Sequence, residues 1–254
     1  SSAGCDLNSG TKNVYLGNRA GYGVTDGDYN IFLGADAGNG STSSGNYNIT
    51  IGYEAGKTST NGEENIFIGK GAGKNATTSG SENVFIGCYA GNSSSGAGGN
   101  QFIGGNAGRN STGAYNVVVG RHALCGNGSH SGWNNVAIGM AAGRCITGGG
   151  ANVFIGRYAA CDFVTGSYNV AIGHNVQPSL LSGDTQLVIG CGSCNWLVGN
   201  ADFNVGIGTT NPNAAVGAGN TAKLSVGILS AYQLYGDGSN LTGISGVTIN
   251  NNAD

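Results

Sequence analysis

The seven cysteines are the residues whose chemistry depends most directly on their spacing. Cys191 and Cys194 form a C-G-S-C motif, which in a cytosolic βαβ protein would indicate redox chemistry or a zinc site. No helical pattern follows the motif and no second pair accompanies it, so a local structural disulfide, or a link to Cys161, is the better interpretation. Together with a charged fraction of only 9%, the cysteines favour an oxidising compartment.

The histidines and carboxylates predict neither a metal site nor a catalytic centre. His122 and Cys125 could contact one ion, but the other ligands of a metal site are missing. The stretch DGDYN at 26–30 is not followed by the glycine at position 6 and the glutamate at position 12 that complete a calcium loop. No combination of serine, histidine and acid stands out. We therefore predict that the protein is not an enzyme and that it needs no cofactor.

The composition narrows the classes of protein further. Glycine accounts for 51 of the 254 residues, and the formal net charge is −3. Collagen is excluded because glycine does not fall at every third position and proline occurs only twice. The sequence shows no basic patch, so we expect no nucleic-acid partner. It has no apolar run of about eighteen residues, so we expect no membrane span.

Most of the chain consists of one repeated phrase, seen clearly as NVFIGCYAG at 83–91 and NVFIGRYAA at 152–160. The repeat returns at steps of 16 to 19 residues, mostly 17 or 18, and such a period indicates a solenoid with one coil per repeat. We predict an all-β protein, a parallel β-solenoid (β-roll or β-helix) of about twelve coils with 17–18 residues per coil. The opening asparagines are Asn13, Asn30, Asn48, Asn65, Asn83, Asn100, Asn116, Asn135, Asn152 and Asn169, and Gln186 and Asn204 continue the series.

The opening asparagines predict a ladder at one corner of the solenoid. Stacked asparagine side chains can hydrogen-bond to one another along the axis. Asparagine also tolerates the left-handed backbone that turns require. We therefore assign these ten residues a structural role rather than a catalytic one.

The residues one and three positions after each asparagine are predicted to form the core. They are nearly all Val, Ile or Leu, and side chains two apart point to the same side of a strand. A glycine at the same position of each repeat then ends the strand, and an alanine three residues later suits a thin interior. The predicted core rows include Val14, Leu16, Ile31, Leu33, Ile66, Ile68, Val84, Ile86, Val153 and Ile155.

The residue between these two rows is predicted to point outward. A solvated row should be polar, yet this one is rich in aromatic residues, and an exposed apolar stripe usually marks an interface. A loop or the C-terminal segment folding over the stripe is the alternative. The predicted interface stripe comprises Tyr15, Phe32, Phe67, Phe85, Phe102 and Phe154.

Several glycosylation sequons and two cysteines lie at similar distances after the opening asparagines of their repeats. Cys125 and Cys145 lie nine and ten residues after their asparagines in adjacent coils, about 4.8 Å apart, which suits a disulfide, although Cys161 competes for Cys145. Five Asn-x-Ser/Thr sequons share a phase of nine to eleven residues and predict a glycosylated ridge. The predicted acceptors, with one more in the tail, are Asn39, Asn75, Asn92, Asn110, Asn127 and Asn240.

The rhythm changes after Gly208, where TTNPN predicts a turn and AKLSVGI alternates as a strand. We predict three parts: an N-terminal extension at 1–12, a β-solenoid repeat domain at 13–208, and a short β-rich C-terminal tail at 209–254 for assembly or capping. Open solenoid ends normally need such capping.

The NVFIGxxAG repeat over 13–208 resembles the head repeats of trimeric autotransporter adhesins, which are β-rolls that trimerise. NVGIGTTNP, AKLSV and GDGSNLTGI resemble segments of phage tail fibres and bacterial surface proteins. The repeat predicts an extracellular structural protein that self-assembles into a fibre or filament through solenoid stacking and lateral apolar contacts. The resemblance implies the alternative, a receptor-binding adhesin or tail-fibre trimer with cell-surface glycans as possible partners. A carbohydrate-active enzyme is disfavoured because carboxylates are few and out of phase.

Overall fold

The computed structural model describes residues 2–40, 45–58, 62–76, 80–95, 98–126, 128–202 and 204–207. Every regular element in these residues is a β-strand, as predicted. The strands are β1 (Val14–Leu16), β2 (Ile31–Leu33), β3 (Ile49–Ile51), β4 (Ile66–Ile68), β5 (Val84–Ile86), β6 (Gln101–Ile103), β7 (Val117–Val119), β8 (Val136–Ile138), β9 (Val153–Ile155), β10 (Val170–His174), β11 (Leu187–Cys191), β12 (Cys194–Gly199) and β13 (Val205–Ile207).

The strands form one sheet in chain order, and β1 to β11 are all parallel. Each strand pairs with the same positions of the next repeat, as Tyr15 does with Phe32. The predicted β-solenoid is therefore confirmed, with about 10 turns. No helix among the described residues is long and apolar enough to cross a membrane.

The prediction of a last parallel coil beginning at Asn204 is wrong. β12 and β13 run antiparallel to their neighbours, so the strand that follows Asn204 closes a meander instead of adding a parallel coil. The turn at Gly192 and Ser193 joins β11 directly to β12, which leaves no room for a full coil between them. The parallel series thus ends at the coil of Gln186, and the predicted tail at 209–254 lies outside the described residues.

A glycine ends most of the three-residue strands because the chain must bend tightly against the next coil. Gly87 has φ of +135°, and a Cβ atom there would lie 2.6 Å from the carbonyl oxygen of Gly104. Gly104 repeats this relation with Gly120 one coil later. Only glycine fits both the backbone angle and the close approach.

The facing of the strands is the reverse of the prediction. The middle residue of each strand points into the solenoid, and Phe67, Phe85, Phe102 and Phe154 are at most 2% exposed. The rings of Phe67, Phe85 and Phe102 stack at centroid distances of 5.0 and 4.9 Å. The six residues predicted as an interface stripe are core residues, with Tyr15 half-buried at the end and Phe32 buried.

The opposite wall of the interior explains why the aromatic row fits inside. It is lined by alanines such as Ala90 and Ala107 and by glycines that leave space for rings. A Cβ atom on Gly91 would lie 2.5 Å from the ring of Phe85, and one on Gly108 would lie 2.5 Å from Phe102. The small residues therefore accommodate large ones across a narrow core.

The two aliphatic rows predicted as core face outward. Leu16 is 69% exposed and Val14 is 52% exposed. Ile31 and Ile155 are also exposed, and the other predicted core residues, Leu33, Ile66, Ile68, Val84, Ile86 and Val153, are half-buried. Alternation with period two distinguishes two faces of a strand, but it does not say which face is inside.

The structure contains the predicted asparagine ladder. In the coil of Asn135, the backbone N–H and side-chain amide donate to the Oδ1 atom of Asn116 at 2.9 and 3.0 Å. The Oδ1 atom of Asn135 in turn accepts from the backbone and side chain of Asn152 at 3.0 and 2.9 Å. Gln186 takes the same role beside Asn169.

We expect Asn135→Ala to lower the free energy of unfolding by about 3 kcal/mol, because it strands several buried groups. Besides the ladder bonds, it removes the bond from the Nδ2 atom to the carbonyl oxygen of Gly149. Denaturant unfolding monitored by circular dichroism measures the loss. Asn134→Gly is the matched control, because Asn134 is exposed with φ of +55° and glycine keeps that angle. Equal stability losses in the two variants would contradict a structural ladder.

Candidate interaction surface

The outward rows form one continuous apolar surface, which we call the aliphatic face. It consists of the first and third residues of the parallel strands, and among β1 to β9 only Gln101 is polar. Ile103, Ile138 and Ile155 are 39%, 38% and 37% exposed in the middle of the sheet, where side chains of the neighbouring strands already shield them. The exposed atoms therefore belong to the tips of closely spaced aliphatic side chains.

The aliphatic face is large for an exposed apolar surface on a single chain. Ten steps of about 4.8 Å give a length of roughly 48 Å, and two rows give a width of roughly 10 Å. The resulting area of roughly 500 Å² is in the range of the largest apolar patches on monomeric proteins. Such a patch usually serves as an interface.

The two edges of the aliphatic face differ in chemistry. The edge that follows the strands presents Lys70, Arg121 and Arg157, which are exposed. The edge that precedes the strands presents Glu64 and Glu82, also exposed. Tyrosines share this second edge, and they are Tyr29, Tyr47, Tyr115 and Tyr168. One edge is thus basic, and the other is acidic and aromatic.

Part of the second edge is already ordered by stacking. The rings of Tyr29 and Tyr47 lie parallel with their centroids 4.9 Å apart. The Lys12 ammonium lies 4.5 Å from the centre of the Tyr29 ring, a cation–π distance. These side chains form a preorganised ridge beside the aliphatic face.

The aliphatic face ends in a shallow apolar cavity of ≈ 270 Å³ near the antiparallel strands. Val170, Leu187 and Val205 line it, together with Tyr168 and Gly199. Val170 and Leu187 belong to the same outward row as the rest of the face. The cavity is therefore the C-terminal end of the same surface.

The buried contact between Ser111 and His130 is the arrangement closest to a catalytic dyad. The Ser111 hydroxyl and the His130 Nδ1 atom are 3.2 Å apart, and both residues are inaccessible to solvent. The Nε2 atom of His130 has no hydrogen-bond partner and faces Gly132. Burial lowers the pKa of His130 to about 4. A substrate has no access, so this pair belongs to the core.

His130 predicts a pH dependence of stability. Its pKa is about 4 in the folded protein, compared with an ordinary value of 6.5, so the unfolded chain binds more protons between these values. Stability contributed by the neutral imidazole is complete above pH 6.5 and falls as the pH is lowered to 4. The full difference corresponds to about 3 kcal/mol.

Thermal unfolding at several pH values between 7 and 4 measures this dependence. Carboxylates also titrate towards the acid end, so the informative quantity is the difference between the natural protein and His130→Gln. We expect the variant to lose less stability than the natural protein over this interval. Parallel pH profiles would contradict a neutral buried imidazole.

Five of the seven cysteines lie in two places in the fold, and all seven are free thiols here. Cys125, Cys145 and Cys161 lie in three consecutive coils, and the backbone N–H of Cys145 donates to the carbonyl oxygen of Cys161. Cys191 and Cys194 face each other as strand partners at the turn between β11 and β12. The predicted disulfides therefore stay predictions, with each pair held by neighbouring backbone.

Burial also affects the reactivity of two of these thiols. It raises the pKa of Cys125 and of Cys161, and a thiol rather than a thiolate is a poor nucleophile. The Cys161 Sγ atom accepts a hydrogen bond from Gln177 at 3.2 Å. Within the described part of the chain, no group of three or more His, Cys, Asp or Glu side chains could hold a metal ion.

The structure separates the predicted glycosylation sites. Asn39 and Asn92 are wrong as acceptors, because both are buried and their Nδ2 atoms donate to Asp36 and to the carbonyl oxygen of Gly71. A glycan on either nitrogen would prevent its coil from closing. Asn75 is exposed and Asn110 is half-buried, so they stay predicted acceptors. Asn127 and Asn240 lie outside the described residues.

No protein-family model, curated protein or solved structure matches the chain.

Proposed function

We propose that this chain is an extracellular structural protein that associates with further copies of itself through the aliphatic face. The observation that carries the proposal is a parallel sheet whose two outward rows are aliphatic at every position but Gln101 from β1 to β11. Function then lies in assembly rather than in catalysis. The exposed sequon at Asn75 and the scarcity of charge support a place outside the cell.

A second copy is the partner that best fits the face. The side chains protrude at intervals of about 4.8 Å along a straight line, which is the spacing of strands in a sheet. An identical face offers rows with the same interval, so the tips of one can settle between the tips of another along the whole length. A globular partner would match this period over only a few strands.

The two edges favour copies that lie parallel to one another. In a parallel arrangement with equal heights, the basic edge of one copy meets the acidic and aromatic edge of the next. At the level of β4 this brings Lys70 towards Glu64 of the neighbour. Unlike edges that meet in this way generate a ring where the rotation between copies closes, and a filament where it does not.

A closed ring formed through these unlike edges would favour the second candidate function, a receptor-binding adhesin or tail-fibre trimer. A closed ring hides the aliphatic faces at its centre and leaves the outer turns for a ligand such as a cell-surface glycan. A fibre requires further contacts between the ends of the solenoids. Both candidates share the lateral contact and differ in what happens at the ends.

Sedimentation velocity of the purified chain over a hundredfold range of concentration tests the proposal. We expect oligomers, and negative-stain images then separate discrete particles from filaments. A chain whose own residues 209–254 cover the aliphatic face would instead sediment as a monomer at every concentration. That outcome would overturn self-association as the function.

A further inference from the structure

Most positive charges of the chain lie in the same segment of successive coils, namely the bend that follows each strand. Of the ten Lys and Arg residues, Lys223 lies outside the described residues and Lys12 lies on the tyrosine edge. The other eight all fall five, six or nine residues after a ladder asparagine, in the turn that follows the strand. They are Arg19, Lys57, Lys70, Lys74, Arg109, Arg121, Arg144 and Arg157.

In the N-terminal half of the chain, most cations of this turn are paired with carboxylates. Arg19 pairs with Asp36 at 2.6 Å. Lys57 and Lys74 both pair with Glu54, at 2.7 and 2.5 Å. Three of the four cations there are therefore paired with carboxylates, and the fourth, Lys70, lies 5.8 Å from the centre of the Tyr89 ring.

The C-terminal half carries one arginine in each of four consecutive coils, which we call the arginine strip: Arg109, Arg121, Arg144 and Arg157. No ion pair within the described part of the chain involves any of them. Arg109, Arg121 and Arg157 are exposed and Arg144 is half-buried. Three coil steps of about 4.8 Å place the four cations within about 14 Å along the axis.

Backbone hydrogen bonds fix the coils that carry the strip. The carbonyl oxygen of Arg121 accepts from Ala141 at 2.9 Å, and that of Arg144 accepts from Gly126 at 3.0 Å. The Arg157 guanidinium lies 4.8 Å from the centre of the Tyr158 ring, which limits its conformations. The strip is therefore mounted on a rigid surface rather than on a loose loop.

His122 is close enough to three of these arginines for their charges to affect its pKa. Burial and then the positive charges of Arg121, Arg144 and Arg109 lower the pKa of His122. Three guanidinium groups thus act on a single imidazole. The pKa of Arg144 is raised chiefly by the Cys145 side chain, and Asp162 is the carboxylate that contributes within the described residues.

We propose that the arginine strip binds an acidic polysaccharide, through sulfate or carboxylate groups spaced along the sugar chain. Guanidinium groups bind such planar or tetrahedral anions with paired hydrogen bonds. The cations alternate from coil to coil between two positions of the turn, five and nine residues after the ladder asparagine, and this recurrence suits a linear polymer whose charges also recur at intervals. The inference rests on the receptor-binding candidate for its setting, but the binding itself does not require self-association.

The surroundings of the strip favour a polysaccharide over a nucleic acid. Single-stranded nucleic acids are held by exposed aromatic rings on which bases stack. The aromatic ring beside the strip is Tyr158, which is half-buried and lies against Arg157. Four cations also neutralise few phosphates of a duplex.

The test measures binding of heparin, a sulfated polysaccharide, by isothermal titration calorimetry at low and at physiological salt. We expect Arg109→Gln, Arg121→Gln, Arg144→Gln and Arg157→Gln together to weaken binding about tenfold or more. The matched control removes the same number of charges from the N-terminal half, as Arg19→Gln, Lys57→Gln, Lys70→Gln and Lys74→Gln. We expect the control to bind within about threefold of the natural protein.

Each outcome decides the proposal. Equal losses in the two variants would show that net charge, not the strip, governs binding. Duplex or single-stranded DNA bound as tightly as heparin, or the uncharged polysaccharide dextran bound as tightly as heparin, would overturn the assignment to an acidic polysaccharide. Circular dichroism confirms that the variants are folded, and the pairs Arg109→Gln/Arg144→Gln and Arg121→Gln/Arg157→Gln replace the quadruple variant if it does not fold.

The oligomeric state is measured on the same samples, so that the two proposals fail separately. Heparin binding by a chain that stays monomeric would leave the strip standing and overturn self-association. An oligomer that does not bind heparin would overturn the strip alone.

Discussion

Replacing Ile103, Ile138 and Ile155 together with serine is expected to convert the assembly to folded monomers. Each side chain lies on the aliphatic face with more than a third of its surface exposed in the single chain. Burial of the exposed part contributes about 1 kcal/mol per side chain at an interface. The three changes should therefore weaken association more than a hundredfold, by about 3 kcal/mol.

Sedimentation velocity of the variant and the natural protein at equal concentrations measures this effect. The matched control replaces three other exposed aliphatic residues, Val164, Leu180 and Leu181, with serine; they lie outside the aliphatic face and are 40%, 65% and 44% exposed. We expect the control to keep the assembly of the natural protein. If the control dissociates and the isoleucine variant does not, the interface is elsewhere.

Phe85→Ala is expected to destabilise the fold by about 3–5 kcal/mol, because it opens a cavity in the middle of the aromatic stack. Phe85 is 1% exposed, and its ring is stacked between those of Phe67 and Phe102. The opposing wall at Gly91 has no side chain that could move into the space. The neighbouring rings would each lose a stacking partner as well.

Ile86→Ala is the control that separates the two possible facings of the strand. Ile86 follows Phe85 directly and is half-buried on the aliphatic face. We expect it to cost about 1 kcal/mol in the monomer. Denaturant unfolding is measured in the triple-serine background, because association would otherwise add to the apparent stability. A larger loss for Ile86→Ala than for Phe85→Ala would reverse the facing described here.

These two experiments address one property of the strand, namely that both of its faces are apolar. Inside, aromatic and small residues fill a core only a few side chains thick. Outside, aliphatic residues cover the sheet. In an ordinary antiparallel sheet with one wet face, the outer row would be polar. The outer row here therefore has a use that the stability of a single chain does not explain.

The core also compensates for changes in side-chain volume from coil to coil. In the coil of Asn116 the inward strand residue is Val118, and the position facing it is Leu124 instead of glycine. Where the strand residue is Phe102, the corresponding position is Gly108, over which the ring lies. In this coil a smaller strand residue is thus accompanied by a larger residue on the facing wall, which keeps the core filled.

The amino-acid sequence alone determined the solenoid, the strand positions and the asparagine ladder. These features depend on contacts that every coil repeats with the next, so a steady period and a constant residue type are sufficient to predict them. Asn135 behaves as Asn152 does because both meet the same neighbours one coil away. The glycine after each strand follows from the same local geometry.

Only the tertiary structure decided which apolar row is inside, where the parallel series ends, and which charges lie together. Alternation gives two faces of equal standing, and the choice depends on the Ala and Gly wall that closes the coil on the far side. Asn204 keeps the repeat phase, yet the turn at Gly192 sends the chain back antiparallel. Arg109 and Arg157 are 48 positions apart in the sequence, and it is the stacking of coils that brings their charges onto one strip.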